Sequence, residues 1–296
     1  MKFYDEIKER LIDNEIYSKV KDYSKENYKL KTYYEVGKLL SEAGKKYGKG
    51  IIKNYSFKLS NDFNKNISTT LLKRIRQFYI IIQKGATMSH QLTWSHYQEL
   101  SPLKDINIIN YYINVVENNI LSLRELRSRI KSKEYERLLE ETKVRLINKE
   151  DNSITDLIPN PIIIKNKNNY EVINEKVLKR IILEDIETFM KELGNSFCFI
   201  GSEYKIKIGN SFNYIDLLLF NIEYNCYVVV ELKVIELKKE HIGQIEIYMN
   251  YIDKNIRGIN NDKTIGIIVC KKDNEFVIEY SSDKRIIARY YEFTNR

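Results

Sequence analysis

Apolar residues in the first half of the chain recur every three or four positions, which is the spacing of one face of an α-helix. The clearest stripe lies in residues 68–83, and its recurring positions are Leu71, Leu72, Ile75, Phe78, Tyr79 and Ile82. Further along, Ser122 and Glu125 have the spacing of a capping box, in which two side chains satisfy free amides at a helix N-terminus. We therefore expect the first half to be mostly helical.

The second half alternates between helical and strand-like patterns. Residues 177–193 have helical spacing and are followed by Gly194, a residue typical of helix C-termini. Short apolar runs predict strands at 197–200, 204–208, 214–220, 227–232, 264–270 and 275–280. A helical stretch at 239–253 interrupts them. Strands combined with helices in this order predict an α/β domain.

A change in composition marks the boundary between the two halves. Pro159 and Pro161, two of the three prolines, lie with repeated asparagines between residues 146 and 170. Such a segment is typical of a connection between domains. The predicted organisation is a helical domain at 1–148, a linker at 149–172 and an α/β domain at 173–296.

The positive net charge of the 296-residue chain, +8, is placed unevenly. Residues 1–150 contain 29 Lys and Arg against 19 Asp and Glu, whereas residues 151–296 contain 20 and 22. Residues 43–84 contain ten basic residues and a single acid, Asp62. One-sided charge of this kind indicates a surface that binds a polyanion. The alternative is a solvated helix face enriched in Lys by a coding bias.

We predict from this charge pattern that the helical domain contacts nucleic acid. The predicted contact residues are Lys45, Lys46, Lys49, Lys53, Lys73, Arg74, Arg76, Arg124 and Arg127. For the arginines after residue 120, pairing with Glu125 and Glu134 along the helix explains the charges almost as well.

Other classes of function find little support in the sequence. The three dispersed cysteines argue against a disulfide framework or a zinc ribbon and favour a reducing, cytoplasmic compartment. No stretch reaches the roughly 18 apolar residues that a membrane-spanning helix needs, so we expect no membrane association. The charged N-terminus lacks the pattern of a signal peptide, and the sequence contains no phosphate-binding loop motif of an ATPase.

Three charged residues stand out within the apolar strands of the second half. Asp216 lies in the run YIDLLLF, while Glu231 and Lys233 lie in VVVELK. The period of two in a strand predicts Asp216 on the face of Leu218, and Glu231 on the face of Lys233. Burial of these charges is costly unless they are paired or bind a metal. The alternative is a salt-bridged structural cluster at the end of a sheet.

The chemistry of these three side chains suits a nuclease. Two neighbouring carboxylates repel each other unless a cation neutralises them, and Mg²⁺ prefers carboxylate, carbonyl and water oxygens. Such an ion can activate water for attack on a phosphodiester. A nearby lysine can position that water or stabilise the charge that develops.

Asp216 followed by Glu231-Leu232-Lys233 resembles the signature of the PD-(D/E)xK nucleases. The strings similar to the YhcG-type branch of that superfamily are ELGNSFCFIG, YIDLLLF, VVVELK, GQIEIYMNY and IGIIVCK. LTWSHYQEL and LSLRELRSRI resemble the helical domain that precedes the nuclease domain in this family, so the resemblance covers nearly the whole chain. It implies an all-helical domain followed by a restriction-endonuclease-like α/β domain with a central mixed sheet.

The resemblance also implies roles for individual residues. Asp216 and Glu231 would ligate Mg²⁺, for which Mn²⁺ can substitute, and Lys233 would be the catalytic lysine. Gln244, on the helix after the second strand, matches a glutamine that lies close to the site in many branches of the superfamily.

Three positions depart from the family pattern. Lys179 stands where the first helix of the nuclease domain usually carries an acid. Glu203 stands in place of a glutamine, and Asn221 in place of a histidine. Glu184, close to Lys179 in sequence, and Glu203 are the additional acids that we consider as metal ligands; Glu175 is a third acid near the same position.

The sequence therefore predicts a Mg²⁺-dependent endonuclease, with DNA as the expected substrate and the helical domain positioning it. One alternative is a catalytically degraded nuclease fold that acts as a nucleic-acid-binding module. A nuclease that acts on RNA and a helical domain that docks an unidentified protein are two others. Paired cuts would require two sites and hence a homodimer.

Overall fold

The computed structural model describes residues 2–18, 25–48, 50–194, 196–272 and 283–294. The strand predicted at 275–280 and the predicted nucleic-acid contact Lys49 lie outside these residues. Among the helices of the described ranges, none combines the length and the apolar character that crossing a membrane requires.

The chain divides into two compact units, Met1–Lys131 and Ser132–Arg296. This division differs from the predicted domain boundaries, because residues 132–172 fold with the second unit rather than with the first or as a linker. A strand at Ile162–Lys165 pairs in parallel with a strand near the C-terminus, with Ile162 opposite Tyr291. The predicted linker therefore contributes to the sheet.

A buried ion pair helps to hold this segment on the second unit. Arg137 pairs with Glu192, and their side chains are only 10% and 12% exposed. Arg137 Nη1 also donates to the Pro161 carbonyl at 2.5 Å, and Glu192 Oε1 accepts from the Ile163 amide at 2.9 Å. Loss of either partner would leave the other charge buried and uncompensated, so each residue depends on the other.

The described part of the first unit is all-helical, as predicted. Its helices are α1 (Lys2–Ser18), α2 (Lys25–Tyr47), α3 (Ile51–Asp62), α4 (Thr69–Gln83), α5 (Trp94–Leu100), α6 (Ile106–Asn119) and α7 (Leu123–Lys131). The predicted capping box is present at the start of α7, where Glu125 Oε2 accepts from the Ser122 amide at 3.0 Å.

Helix α4 follows the predicted apolar stripe and packs closely against α2. It begins after Ser68, whose hydroxyl accepts a hydrogen bond from the Leu71 amide at 3.1 Å. The buried positions of the helix are Leu72, Ile75, Phe78 and Ile81. Gly37 of α2 lies against the backbone of α4, because a Cβ atom there would be 2.5 Å from the Ile75 carbonyl oxygen.

The second unit contains a single six-stranded sheet among its described residues. Its helices are α8 (Glu140–Asn148), α9 (Glu175–Glu184), α10 (Ile186–Leu193) and α11 (Lys239–Asn255), with a short 3₁₀ helix at Tyr135–Arg137. Its strands are β1 (Ile162–Lys165), β2 (Phe197–Ile208), β3 (Ser211–Asn221), β4 (Cys226–Leu232), β5 (Asp262–Cys270) and β6 (Ile286–Thr294).

The sheet is mixed, with the strand order β1-β6-β5-β4-β3-β2. Strand β3 is antiparallel to both of its neighbours, β2 and β4. The other pairs are parallel: β4 with β5, β5 with β6, and β6 with β1. The strands predicted at 197–200 and 204–208 form one strand, β2, with an irregularity in pairing between Phe199 and Gly201. Strand β6 was not predicted from the sequence.

Helices cover both faces of the sheet. Leu217 and Val230 lie in a hydrophobic cluster with α9 and α10, while Leu218 and Val229 lie in a second cluster with α11. Burial on both faces explains why β3 and β4 are nearly continuous apolar runs. A charged side chain at the end of such a run must therefore find a partner.

The contact between α2 and α4 predicts an effect of Gly37→Ala. The added methyl group would lie 2.5 Å from the Ile75 carbonyl oxygen and 2.7 Å from Tyr79 Cβ, so the two helices must shift apart. We expect the free energy of unfolding, measured with urea, to fall by about 1–3 kcal/mol, which is the usual cost of overpacking.

Gly44→Ala, on the same helix, is the matched control. Its added methyl group would meet only the tip of the flexible Arg76 side chain, at 3.4 Å. Alanine favours a helix over glycine by up to about 1 kcal/mol, so this variant should be as stable as the original protein or more stable. Equal losses of stability in both variants would contradict the proposed close contact of the helices.

Candidate active site

Asp216 of β3 and Glu231 of β4 lie opposite each other, just beyond the backbone pair formed by Leu217 and Val230. The Leu232 amide donates to Asp216 Oδ2 at 3.0 Å, and the Asp216 amide lies 3.5 Å from Glu231 Oε1. The Asp216 carboxylate thus continues the hydrogen-bond ladder between the strands. This arrangement fixes the two carboxyl groups beside each other, as the sequence predicted.

Glu231 is paired with the lysine two residues further on. Glu231 and Lys233 are 2% and 9% exposed, and Lys233 Nζ lies 3.4 Å from Glu231 Oε2. The Lys233 amide donates to the Val269 carbonyl of β5 at 2.8 Å, which holds its backbone to the parallel part of the sheet. The sequence prediction that these three charged groups meet is consistent with this geometry.

The environment disfavours the charged form of Glu231. Burial, and then the negative charge of Asp216, raise the pKa of Glu231 to about 7, although Lys233 acts in the opposite direction. Perturbed carboxyl groups of this kind cluster at functional sites. Lys233 alone therefore does not offset the burial of Glu231 and the negative charge of Asp216 beside it.

A second lysine, Lys179 of α9, reaches the same site. Its Nζ atom donates to Asp216 Oδ1 at 2.9 Å and to Glu203 Oε1 at 3.1 Å. Burial lowers the pKa of Lys179, but its hydrogen bonds and attraction to Asp216, and then to Glu203, outweigh this effect and raise the pKa overall. The ammonium group therefore bridges two carboxylates from neighbouring strands.

The face on which Asp216 lies differs from the prediction. Ile215 and Leu218 both pack in the cluster with α11, so strict alternation is broken between them, and Asp216 instead contacts α9. Glu203 of β2 lies between Ser202, which pairs with Leu217, and Tyr204, which pairs with Ile215, and so faces the position of Asp216 on β3. The Glu203 backbone is left-handed, with φ of 48°. For a residue with a side chain, this backbone conformation costs roughly 1–2 kcal/mol, and Glu203 pairs with Lys179 from that strained position.

Two other sequence-predicted residues have partners outside this cluster. The Gln244 amide of α11 donates to the Tyr248 hydroxyl at 3.1 Å. Glu184 accepts hydrogen bonds from the Asn168 amide at 2.7 Å and the Tyr170 hydroxyl at 2.8 Å, at the end of α9. Glu184 thus has two hydrogen-bond partners of its own, and its role as an additional ligand stays a prediction.

His241 is a neighbour of the site that was not singled out from the sequence. It lies in the first turn of α11, and its Nδ1 atom accepts from the Lys238 amide at 3.1 Å. Burial, and then the positive charge of Lys233, lower the pKa of His241, which places the two side chains within electrostatic reach. The sequence could have indicated His241 through its position in the predicted helix that follows the strand bearing Glu231 and Lys233.

The donor set fits a hard divalent cation that is bound through few protein ligands. Within the described ranges, no group of three His, Cys, Asp or Glu side chains is arranged to hold a metal ion. Mg²⁺ is often bound by one or two carboxylates, with water and substrate phosphates completing the shell. Asp216 and Glu231 supply two such carboxylates. The Asp216 carboxylate already has a cationic partner, the Lys179 ammonium at 2.9 Å.

The first unit contains a basic cleft of about 750 Å³, formed by α4 and by residues from the end of α5 to α6. The basic residues that line it are Lys73, Arg74, Arg76, Lys84 and Lys104. None of its lining residues in the described chain is an Asp or a Glu. Three of the individually predicted contacts thus line one cleft. Lys84, the last residue of the basic tract 43–84, also lines it, whereas Lys104 was not selected from the sequence.

The remaining predicted nucleic-acid contacts that the structure describes do not line this cleft. Three of them, exposed on α2 and α3, are Lys45, Lys46 and Lys53. Arg127 of α7 pairs with Glu99 at 2.7 Å, and Arg124 is exposed on the same helix. The partner of Arg127 is therefore a residue of α5 rather than the acids of its own segment.

Comparison with known families divides the chain in the same general way. Residues 156–294 match the family described as the YhcG PDDEXK nuclease domain, and residues 10–137 match the family described as the DUF1016 N-terminal domain. The curated protein "Putative nuclease YhcG" of Escherichia coli (strain K12) is 24% identical, and the match covers 81% of this chain and 76% of that protein. The predicted family and the predicted restriction-endonuclease-like α/β fold are confirmed.

Two solved structures show a partial likeness. One is described as the crystal structure of a repair endonuclease from Pyrococcus abyssi, with 17% identity, and the other as the structure of an EndoMS-dsDNA2 complex, with 18% identity. Each match has a TM-score of 0.29 and covers 43% of this chain. The matched region spans about half of each solved chain, 48%.

The raised pKa of Glu231 predicts a pH-dependent effect of Glu231→Gln in metal-free protein. The folded-state pKa of about 7 exceeds the ordinary value of 4.5, so the folded protein binds an extra proton between these pH values. Its stability should fall as the pH rises through this window. The variant cannot lose this proton. It should match the original protein near pH 5 and be more stable above pH 7, by roughly 1–3 kcal/mol at about 1.4 kcal/mol per pKa unit.

Urea unfolding in EDTA at several pH values between 5 and 8 measures this difference. Glu187→Gln removes an exposed carboxylate of the same unit, 75% exposed, and serves as the control for loss of one negative charge. A stability difference between Glu231→Gln and the original protein that does not change with pH would contradict the prediction.

Proposed function

Because the chain belongs to the YhcG-type PD-(D/E)xK nuclease family, we propose that it is a Mg²⁺-dependent endonuclease that hydrolyses phosphodiester bonds in DNA. The observation that carries this proposal is the placement of Asp216 and Glu231 on facing strand positions, with Lys233 beside Glu231. A pair of facing carboxylates, with Glu231 2% exposed and Asp216 partly buried, is the kind of donor set that Mg²⁺ takes in proteins.

In the proposed mechanism, Asp216 and Glu231 would hold Mg²⁺, with Mn²⁺ as a substitute. When bound, the ion supplies Lewis-acid chemistry that lowers the pKa of water and offsets charge on the phosphate. Lys233 donates hydrogen bonds that orient the attacking water and stabilise the negative charge developing on the phosphoryl oxygens. The water oxygen forms a bond to phosphorus and releases a proton to solvent as the bond from phosphorus to the leaving sugar oxygen breaks, and the sugar oxygen takes up a proton from solvent.

The basic cleft of the first unit is the proposed binding surface for the nucleic acid backbone. Its five lysines and arginines and its lack of lining carboxylates, among the described residues, suit a chain of phosphates. Contacts to phosphates position a substrate without reading its bases, so this surface does not by itself distinguish DNA from RNA. Comparison of cleavage of DNA and of RNA therefore tests whether DNA is the substrate.

One observation favours the alternative of a degraded nuclease fold that binds nucleic acid without cutting it. Lys179 places a positive charge on Asp216, at 2.9 Å, where a metal-binding carboxylate would face the ion. In that case the pairs of Lys179 with Asp216 and Glu203, and of Lys233 with Glu231, would be permanent. Binding without cleavage under every metal condition would support this alternative.

A cytoplasmic location and a homodimer that makes paired cuts belong to the same proposal. The three cysteines, Cys198, Cys226 and Cys270, are all free thiols, which supports a reducing compartment. Burial raises the pKa of Cys226 to about 11, so this thiol is poorly reactive.

The proposed function predicts that Asp216→Asn and Lys233→Met abolish metal-dependent cleavage. Each change removes a charge that the reaction needs, and loss of one such preorganised group typically costs at least about a hundredfold in rate. The assay presents linear, supercoiled, branched and single-stranded DNA, and RNA, with Mg²⁺, Mn²⁺ or EDTA. The original protein should cut DNA only with a divalent ion.

Glu187→Gln, an exposed change in the same unit, controls for loss of one charge without contact to the proposed site. It should retain cleavage. Cleavage that persists in Asp216→Asn would rule out the proposed metal ligand, whereas cleavage of RNA alone would move the substrate from DNA to RNA.

The proposed role of the cleft predicts a weaker salt dependence of DNA binding in Lys73→Gln/Lys84→Gln. Removal of one phosphate contact reduces the slope of log affinity against log salt concentration by about 0.9 for duplex DNA. If both lysines contact phosphates, the slope should become shallower by roughly 1 to 2. Fluorescence anisotropy of a labelled duplex in EDTA measures binding without cleavage.

Lys31→Gln/Lys38→Gln removes the same charge from exposed positions of α2 that do not line the cleft. This control should change the slope by much less. Equal changes in the two double variants would mean that binding follows net charge alone and that the cleft has no special role.

A further inference from the structure

Lys179 binds the Asp216 carboxylate oxygen that does not contact the neighbouring strand. Asp216 Oδ2 accepts from the Leu232 amide, while Oδ1 accepts from Lys179 Nζ at 2.9 Å. The side chains of Lys179 and Asp216 are 16% and 18% exposed, so the contact is partly shielded from water. An ion pair in such a place is stronger than one on an open surface.

We propose that the Lys179 ammonium is an internal counter-ion that a divalent cation must displace from Asp216, and that Glu203 retains the displaced lysine. This inference rests on the proposed function, because it assumes that Asp216 and Glu231 form the metal site. It adds a residue that controls how readily the site is loaded.

Competition follows from the shared ligand atom. A metal ion bound to Asp216 Oδ1 would lie against the Lys179 ammonium, and two cations at such a distance repel each other strongly. The metal must therefore separate Lys179 from Asp216 before it gains full contact with the carboxylate. The free energy needed to break the ion pair between Lys179 and Asp216 therefore makes the apparent free energy of metal binding less favourable.

Glu203 is suited to hold the lysine after displacement. Lys179 Nζ already donates to Glu203 Oε1 at 3.1 Å, so the second partner is in place before the first is lost. The Glu203 side chain is 67% exposed, which leaves it room to follow the ammonium group. Lysine carries its charge on a flexible stem with three donors, and a small rotation can exchange one acceptor for the other.

The first test compares metal affinity in Lys179→Gln, Lys179→Arg and the original protein, without nucleic acid. Titration calorimetry with Mg²⁺ and electron paramagnetic resonance of unbound Mn²⁺ measure binding directly. Lys179→Gln should bind about tenfold more tightly, equivalent to about 1.4 kcal/mol at 25 °C. Lys179→Arg keeps the positive charge and should remain close to the original protein.

Stability of the metal-free protein separates this role from structural damage. Lys179→Gln removes the counter-ion of Asp216, so its melting temperature in EDTA should fall although its metal affinity rises. If the role of Lys179 were purely structural, Lys179→Gln would lower both the melting temperature and the metal affinity. Unchanged or weaker metal binding in Lys179→Gln would overturn the inference.

Glu203→Gln tests the second half of the proposal. It should weaken metal binding when Lys179 is present, because the displaced lysine loses its acceptor. In the Lys179→Gln background it should have little effect. An equal loss in both backgrounds would mean that Glu203 contacts the metal itself and does not act through Lys179.

Asp216→Asn distinguishes failure of this inference from failure of the proposed function. If the original protein binds metal and Asp216→Asn does not, the metal site stands and Lys179→Gln decides the inference alone. If Asp216→Asn binds as well as the original protein, or if no variant binds, the proposed metal site fails, and the inference that depends on it fails with it.

Discussion

The second unit is organised around two carboxyl groups that are held side by side at the end of a buried strand pair. Glu231 is 2% exposed, and Asp216 is bound to the Leu232 amide of the neighbouring strand. Neither group can relieve the repulsion by moving into solvent without breaking a strand contact. Burial and repulsion together raise the pKa of Glu231, and the charge must be compensated within the site.

The fold supplies compensating charges from two independent elements. Lys233 comes from the same chain segment as Glu231, so its distance depends on local backbone geometry alone. Lys179 comes from α9, whose position depends on packing of Leu178 and Ile181 in the hydrophobic cluster on one face of the sheet. A change in helix packing would therefore move a charge in the site. Stability and site electrostatics depend on the same helix–sheet contacts.

The distinction between local and long-range geometry also explains what the sequence could predict. The strand-borne acids and Lys233 follow from periodicity within two apolar runs, and the structure brings them together. The face of Asp216 was predicted wrongly because strict alternation along β3 is broken between Ile215 and Leu218, an irregularity that no local pattern indicates. Likewise, no local pattern indicates that Glu184 binds Asn168 and Tyr170, or that residues 162–165 pair with the C-terminal strand.

The two units differ in how their charges are balanced. In the second unit, the charges of Asp216, Glu231, Lys179 and Lys233 cancel formally, and Glu203 adds a negative charge. Such a site does not attract a phosphodiester over a distance. The cleft of the first unit has five basic lining residues and, in the described chain, no acidic ones. Under the proposed function, long-range attraction of a polyanion would therefore fall to the first unit, while the second unit would act through short-range contacts once its carboxylates exchange one cation for another.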